Sequence, residues 1–513
     1  MVNIIKTFTN IGIEGYQIDI EIDSNKGIPG ISIVGLPDAA INEAKERIRG
    51  AFRNLDMDLP TRKIILNLAP SHIKKIGTRF DFPMAVGILM LMFEEYVKID
   101  KYSNSIFFGE LGLDGTLKRV TGILPSVISA YKKGYKEFYI PKENLFELEY
   151  IKDIKIYPIE KFGDFVDHFI GKKDIQPVCG GKNLENIKLK DNLLVDFSEI
   201  KGHNFVKRAL KIAAAGMHNV LLIGPPGTGK TMLSKALRGI LPPMEFNEVL
   251  EISQIYSIVG KLNEEMPLIL IRPFRSVHHT ASKISIIGGG QQLTPGEISL
   301  SHNGILYLDE LTEFPSQVLE VLRQPLEDKK ITISRVSGTI DYPAKFMLVA
   351  SMNPCKCGYY KDFQKHCICS MNDIKKYQSK ISGPLLDRFD MILEVPREKV
   401  ENIIEDNFEE SSSDMSQEVL KAWDVQKNRY IDTGISCNSQ LNTKYLHKFI
   451  QLDEEAEMLL KTAAKNLSLS PRVIHRLLKL ARTIADMSGL DLIDSKHIAE
   501  ALHYRSKNYL IEK

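Results

Sequence analysis

Apolar and polar positions alternate along residues 1 to about 170 in short runs separated by longer amphipathic stretches. Ile31–Val34 and Lys63–Leu68 read as strands. Between them Ile41, Ala44, Ile48, Phe52 and Leu55 recur at helical spacing. Ala39–Leu55 therefore reads as a helix, with Asp38 placed as its N-cap. Ala85–Phe93, the longest apolar run, is about half the roughly 20 residues a membrane span needs and reads as a buried helix. Gly171–Asn192 is poor in large apolar residues and reads as a linker. From Phe197 to Pro396, apolar strands at Val220–Ile223, Ile305–Leu308 and Phe346–Ala350 alternate with helical segments. That alternation predicts a parallel sheet covered on both faces. The rest reads as helical. Ser470 and Pro471 make a helix start, and Ile474, Leu477, Leu478, Ala481 and Ile484 form its apolar stripe. Glu405–Ser413, acidic and serine-rich, reads as an exposed loop. The expected architecture is α/β, with an N-terminal domain over 1–172, a linker over 173–196, a core over 197–396 and a helical domain over 397–513.

Composition narrows the class. At 513 residues, and about 150 per domain, the chain holds roughly three domains. Apolar residues make up 43% and charged residues 26%, the profile of a soluble globular protein. The net charge of +2 excludes a polycation, so any nucleic-acid contact must come from a local basic patch. Met1–Asn10 lacks the apolar core of a secretory signal. Six cysteines in this length form no disulfide framework, which points to a reducing, cytoplasmic setting away from membranes.

Candidate chemistry begins at Gly224, Pro225, Pro226, Gly227, Thr228, Gly229, Lys230 and Thr231, a complete Walker A pattern between an apolar strand and a helix. Its glycines let successive backbone N–H groups face phosphate oxygens. Lys230 would contact the β- and γ-phosphates of ATP, and Thr231 would ligate Mg²⁺. Ile305–Leu308 ends in Asp309 and Glu310, the Walker B form. Asp309 would hold Mg²⁺ through its water shell, and Glu310 would activate the attacking water. Asn353, at the exit of a third strand, offers a neutral amide to the γ-phosphate or that water. Cys355, Cys357, Cys367 and Cys369 form two C-x-C pairs that suit tetrahedral Zn²⁺, with His366 as a possible substitute ligand. Four free thiols in a reduced loop is the alternative.

The order of these segments resembles the YifB/ComM group of magnesium-chelatase-like AAA+ proteins over essentially the whole chain. The resemblance rests on Ala213–Gly216, Arg275–Thr280, Gly288–Gly290, Pro295–Ser299, Arg323–Glu327, Asn353–Gly358 and Ser382–Asp390. It implies a P-loop core with a helical lid, assembled as a homo-hexamer with ATP between subunits. It also implies that Arg388 acts as a finger on the neighbouring nucleotide and that Arg472 acts as sensor 2. It points to a DNA helicase that drives branch migration during recombination and natural transformation. Relatives carry an insert, here near Ser282–Ser299, and a pore hairpin, here Ile331–Tyr342 turning near Ser337 and Gly338. Lys329, Lys330 and Arg335 could then meet phosphates.

The N-terminal block resembles the α+β peptidase domain of Lon proteases, most clearly from Gly109–Gly112 through Gly122 to Gly134. The serine of that family's Ser–Lys dyad falls near Arg79 and its lysine near Leu124. Neither residue can do that chemistry, so no peptidase activity is expected. Rival readings are a chelatase subunit and a protein remodeller. No von Willebrand-type domain is seen for the first, and the glycine-rich insert lacks the aromatic pore residues usual in the second. A non-catalytic scaffold is disfavoured because every hydrolytic residue is present.

Overall fold

The computed structural model describes residues 3–93, 99–184, 187, 194–290, 293–335, 338–398, 409–505 and 510. The chain divides into two compact units. The first joins 1–189 to Val249–Ile269, and the second holds 190–248 and 270–513. The segment 249–269, which the sequence pattern leaves inside the core, thus groups with the N-terminal block. There the buried Glu147 carboxylate accepts hydrogen bonds from Ser257 Oγ at 2.6 Å and Arg119 at 2.8 Å, and Arg119 also donates to the Leu262 carbonyl.

The first unit is built on an eight-stranded mixed sheet. Its order is Val178–Cys179, Lys155–Ile159, Glu137–Pro141, Ser105–Phe107, Asn3–Ile11, Glu14–Asn25, Lys63–Ala69, Gly30–Val34. Val178–Cys179, within the expected linker, is its edge strand and pairs antiparallel to Lys155–Ile159. The amphipathic helix runs Ala39–Arg53. Asp38 caps it by accepting the Ile41 N–H at 2.9 Å, and Ile41, Ala44, Ile48 and Phe52 are buried as their spacing requires. The long apolar run lies in a helix, Asp81–Met92, buried on nearly every side chain.

The second unit carries a five-stranded, wholly parallel sheet in the order Phe274–Val277, Ile305–Leu308, Met347–Met352, Val220–Ile223, Met391–Glu394. Nearly all side chains of its inner strands are buried, as expected for a sheet covered on both faces. The strand that leads to Asn353 separates the phosphate-loop strand from the acidic strand. All three therefore deliver their C-terminal ends to one edge, where ligands of open α/β sheets bind. The C-terminal region is helical: Ser412–Arg429, Thr443–Phe449, Glu454–Asn466, Pro471–Met487 and Ser495–His503. Leu477, Ala481 and Ile484 share one apolar core with Val220, Met347 and Met391. Ser470 caps the Pro471–Met487 helix through the Val473 N–H.

Two expectations need correction. Glu405–Ser413 is not simply an exposed loop. Glu405–Phe408 lies outside the described residues, while Ser411 caps a helix and the buried Ser412 begins it. Glu409 and Glu410 pair with Lys207 and Lys211. The basic hairpin exists as Lys330–Arg335 paired with Gly338–Pro343, and its expected turn at Ser337 lies outside the described residues. Lys330, however, is bound to Asp341 at 2.7 Å. Lys329 lies at the end of the preceding helix and donates to the Leu326 carbonyl. Neither lysine is the free phosphate contact expected of it.

Candidate active site

The phosphate loop leaves Val220–Ile223 and turns into the Lys230–Ala236 helix through Gly227 and Gly229, both at positive φ (79° and 77°). A side chain is costly at such φ, so these glycines are needed for the turn. At Gly224 the constraint is contact, since a Cβ there would lie 2.1 Å from the Val395 carbonyl oxygen. Thr228 Oγ1 donates to the Pro225 carbonyl at 3.0 Å and closes the loop on itself.

Four sequence-predicted residues converge on this loop. Lys230 donates to the carbonyls of Gly224 (2.7 Å) and Pro225 (2.8 Å) and to Asn353 Oδ1 (3.3 Å). Burial pushes its pKa down to about 8, against the pull of Asp309 and Glu310. Thr231 Oγ1 donates to Asp309 Oδ2 at 3.3 Å. Thr231 would ligate Mg²⁺ directly and Asp309 would hold it through a bound water, roles that suit a hydroxyl and a carboxylate in contact. Glu310 projects outward with its backbone at φ 52°, a left-handed conformation that a non-glycine residue adopts only where the surroundings impose it. Its N–H donates to Asp309 Oδ1 at 3.1 Å. The pair is thus splayed: Asp309 faces Thr231, while the Glu310 side chain is half exposed.

The fold adds residues that the sequence motifs did not single out. Ser351 donates to Asp309 Oδ1, and the Tyr307 hydroxyl reaches Thr231 Oγ1 at 3.3 Å. His279 Nδ1 stands 3.6 Å from Glu310 Oε2. Strand alternation could have placed Ser351 beside Asn353, two positions on. His279 lies inside the recognised Arg275–Thr280 stretch, but no local signal tied it to Glu310.

Among the described residues no hydrogen bond or ion pair joins Arg388 or Arg472 to the phosphate loop of their own chain. They meet instead at Glu327, itself within the recognised Arg323–Glu327 stretch. Arg388 is 4% exposed, pairs with Glu327 Oε1 and donates to the Pro384 carbonyl. Its Nε has no hydrogen-bond partner among the described residues. Burial lowers its pKa, Glu327 opposes this, and Arg323, Arg472 and Arg476 add repulsion. Arg472, 66% exposed, lies 3.8 Å from the same carboxylate. Arg476, one helical turn on, donates to the Arg388 carbonyl and to Asp390 Oδ1 at 2.6 Å, tying the lid helix to this segment. Two guanidinium groups thus share the Glu327 carboxylate.

The four cysteines of the C-x-C pairs come together. All four Sγ atoms lie within 4.8 Å of one another, with Cys355 to Cys357 at 3.3 Å, Cys355 to Cys367 at 3.7 Å and Cys357 to Cys367 at 3.6 Å. A zinc tetrahedron with bonds near 2.3 Å needs about 3.8 Å between sulfurs, so the set fits. Burial raises the Cys357 thiol, but the backbone N–H groups of Tyr359 and Ile368 outweigh it, and its pKa falls to about 6.

Known proteins are similar to the chain along nearly its whole length. Residues 196–403 match the family model "Magnesium chelatase, subunit ChlI", 20–144 match "Subunit ChlI of Mg-chelatase" and 409–505 match its C-terminal model. Competence protein ComM of Haemophilus influenzae is 38% identical over 514 residues, covering 99% of this chain and 98% of the relative. The chain belongs to the YifB/ComM family of magnesium-chelatase-like AAA+ proteins. Within that family, YifB of Escherichia coli is also 38% identical, over 518 residues and 98% of its length. The magnesium-chelatase subunit ChlI of Cyanophora paradoxa is more distant, at 24% identity over 53% of this chain and 81% of its own. No helix among the described residues is long and apolar enough to cross a membrane.

Proposed function

We propose that this YifB/ComM-family protein is a cytoplasmic ATP-hydrolysing motor that works as a homo-hexameric ring on DNA, driving branch migration of recombination intermediates. The observation that carries the ATPase is the convergence of Lys230, Thr231, Asp309 and Asn353 at one sheet edge, with Glu310 projecting beside them. Lys230 and the loop N–H groups hold the β- and γ-phosphates, Asn353 orients the γ-phosphate, and Glu310 takes the proton of the attacking water. Thr231 and Asp309 hold Mg²⁺, which when bound offsets phosphate charge.

The ring reading rests on Arg388 and Arg472. Both gather around Glu327 rather than their own phosphate loop, which suits them to complete a neighbour's site. Cys355, Cys357, Cys367 and Cys369 would hold Zn²⁺ as a structural ion. In the Lon resemblance the dyad positions fall near Arg79 and Leu124. Arg79 donates to Ser126 Oγ, and that serine has Asn10 and the Gly122 carbonyl as partners, neither of them a base. These contacts support an N-terminal block without peptidase activity.

DNA as substrate rests on the competence relative, since the hairpin lysines are engaged elsewhere. The test is ATPase rate and strand movement with single-stranded, forked and four-way-junction DNA across a salt series. Stimulation, with affinity falling as salt rises, is expected. No stimulation and no binding at low salt removes the DNA reading. It would then favour a chelatase-type or protein-remodelling ATPase, the former suggested by the ChlI family models.

A further inference from the structure

Sixteen positions, Pro354 through Cys369, separate Asn353 from the cap residue Ser370, and they form no helix or strand. The loop cannot be held by its own apolar groups. Cys355 is buried, but Phe363 is 65% exposed and Ile368 is 88% exposed. A segment with so little core needs a staple, and a metal on four thiolates supplies one.

The loop is also tied to the nucleotide site. Asn353, bonded to Lys230, lies two residues before Cys355. Gly358, one residue after Cys357 and at φ 88°, rests its backbone on Pro226 of the phosphate loop. A Cβ there would come within 2.7 Å of Pro226 Cδ and 3.2 Å of Cγ. The far side is anchored as well. Asp362 binds Arg397 at 2.8 Å, and the Pro354 carbonyl accepts from the buried Gln378 side chain at 2.8 Å.

We infer that the four-cysteine loop is a zinc-held clamp on the phosphate loop, so that metal occupancy of the cysteines sets the affinity of the site for ATP. The inference rests on the nucleotide-site reading above. Zinc fixes Cys355 and Cys357, and these hold the segment between Asn353 and Gly358. One end of that segment presents the amide oxygen to Lys230, and the other presses on Pro226. Without the metal both contacts loosen, and the loop carbonyls and N–H groups lose the fixed geometry that phosphate binding needs.

The test uses the full chain. Zinc is measured by elemental analysis, and binding of a fluorescent ATP analogue is titrated for the parent, Cys367→Ser/Cys369→Ser, Gly358→Ala and Lys230→Ala. The parent should carry about one zinc per chain. The double serine variant should lose the metal and bind nucleotide at least about tenfold more weakly. Gly358→Ala should retain the metal, because every ligand is intact, and still bind nucleotide more weakly. It thereby separates the clamp from any general misfolding of the serine variant. Parental affinity in Gly358→Ala or in the zinc-free variant overturns the clamp while leaving the nucleotide site standing. A zinc-free parent with all four thiols freely titratable overturns it too. The nucleotide site itself is judged separately: if Lys230→Ala binds the analogue normally, that reading fails.

Discussion

Lys230→Met should stabilise the ligand-free protein while destroying its nucleotide site. Burial lowers the Lys230 pKa from an ordinary 10.5 to about 8. A gap of about 2.5, at about 1.4 kcal/mol each, makes the ammonium cost about 3.5 kcal/mol at neutral pH. Because the folded pKa lies below the unfolded one, that cost is fully present below about pH 8 and fades as pH rises toward the unfolded value. Methionine matches the length of the chain and carries no charge. It also gives up the bonds to the Gly224 and Pro225 carbonyls, about 1 kcal/mol each, and the longer bond to Asn353, about 0.5 kcal/mol. The net gain is about 1 kcal/mol, or roughly 2 °C in melting midpoint. The assay is thermal unfolding without nucleotide at pH 7 and pH 10, beside nucleotide titration. Lys230→Met should melt higher at pH 7, lose that advantage by pH 10 and bind no ATP. A variant that melts well below the parent at pH 7, or whose difference from it does not change with pH, would refute the burial argument. In that case the lysine would be at ease in the site, with no strain for phosphates to relieve.

Two further outcomes follow from the site. Glu310→Gln should bind ATP with parental affinity yet turn over on the order of 10²–10⁴ times more slowly, because the amide keeps the shape and cannot take a proton; normal turnover, read by phosphate release, removes Glu310 as base. Arg388→Ala should cut hydrolysis on the order of 10³-fold. Activity should return when that variant is mixed with Lys230→Ala subunits, each inactive alone, because one supplies the phosphate loop and the other the arginine. A mixture no more active than its parts would place Arg388 outside the neighbour's site.

What the sequence determined on its own was local. Asp38 and Ser470 cap their helices, and Gly227 and Gly229 take positive φ, because a cap or a tight turn depends on partners within three or four residues. The phosphate loop, the acidic strand end and the C-x-C pairs were legible for the same reason. Tertiary structure decided which of these groups meet. The Lys230–Asn353 contact spans 123 positions, Thr231–Asp309 spans 78 and Arg388–Glu327 spans 61. Sheet order, not spacing, brings the first two pairs to one edge. The same holds for charges that the sequence could only count. Lys330 looked available, but pairing of the two hairpin strands sets Asp341 beside it, and its charge is used there. The join of Gly358 to Pro226 left no pattern in the chain, since a glycine's contacts are made by the shape of its surroundings and not by any group of its own.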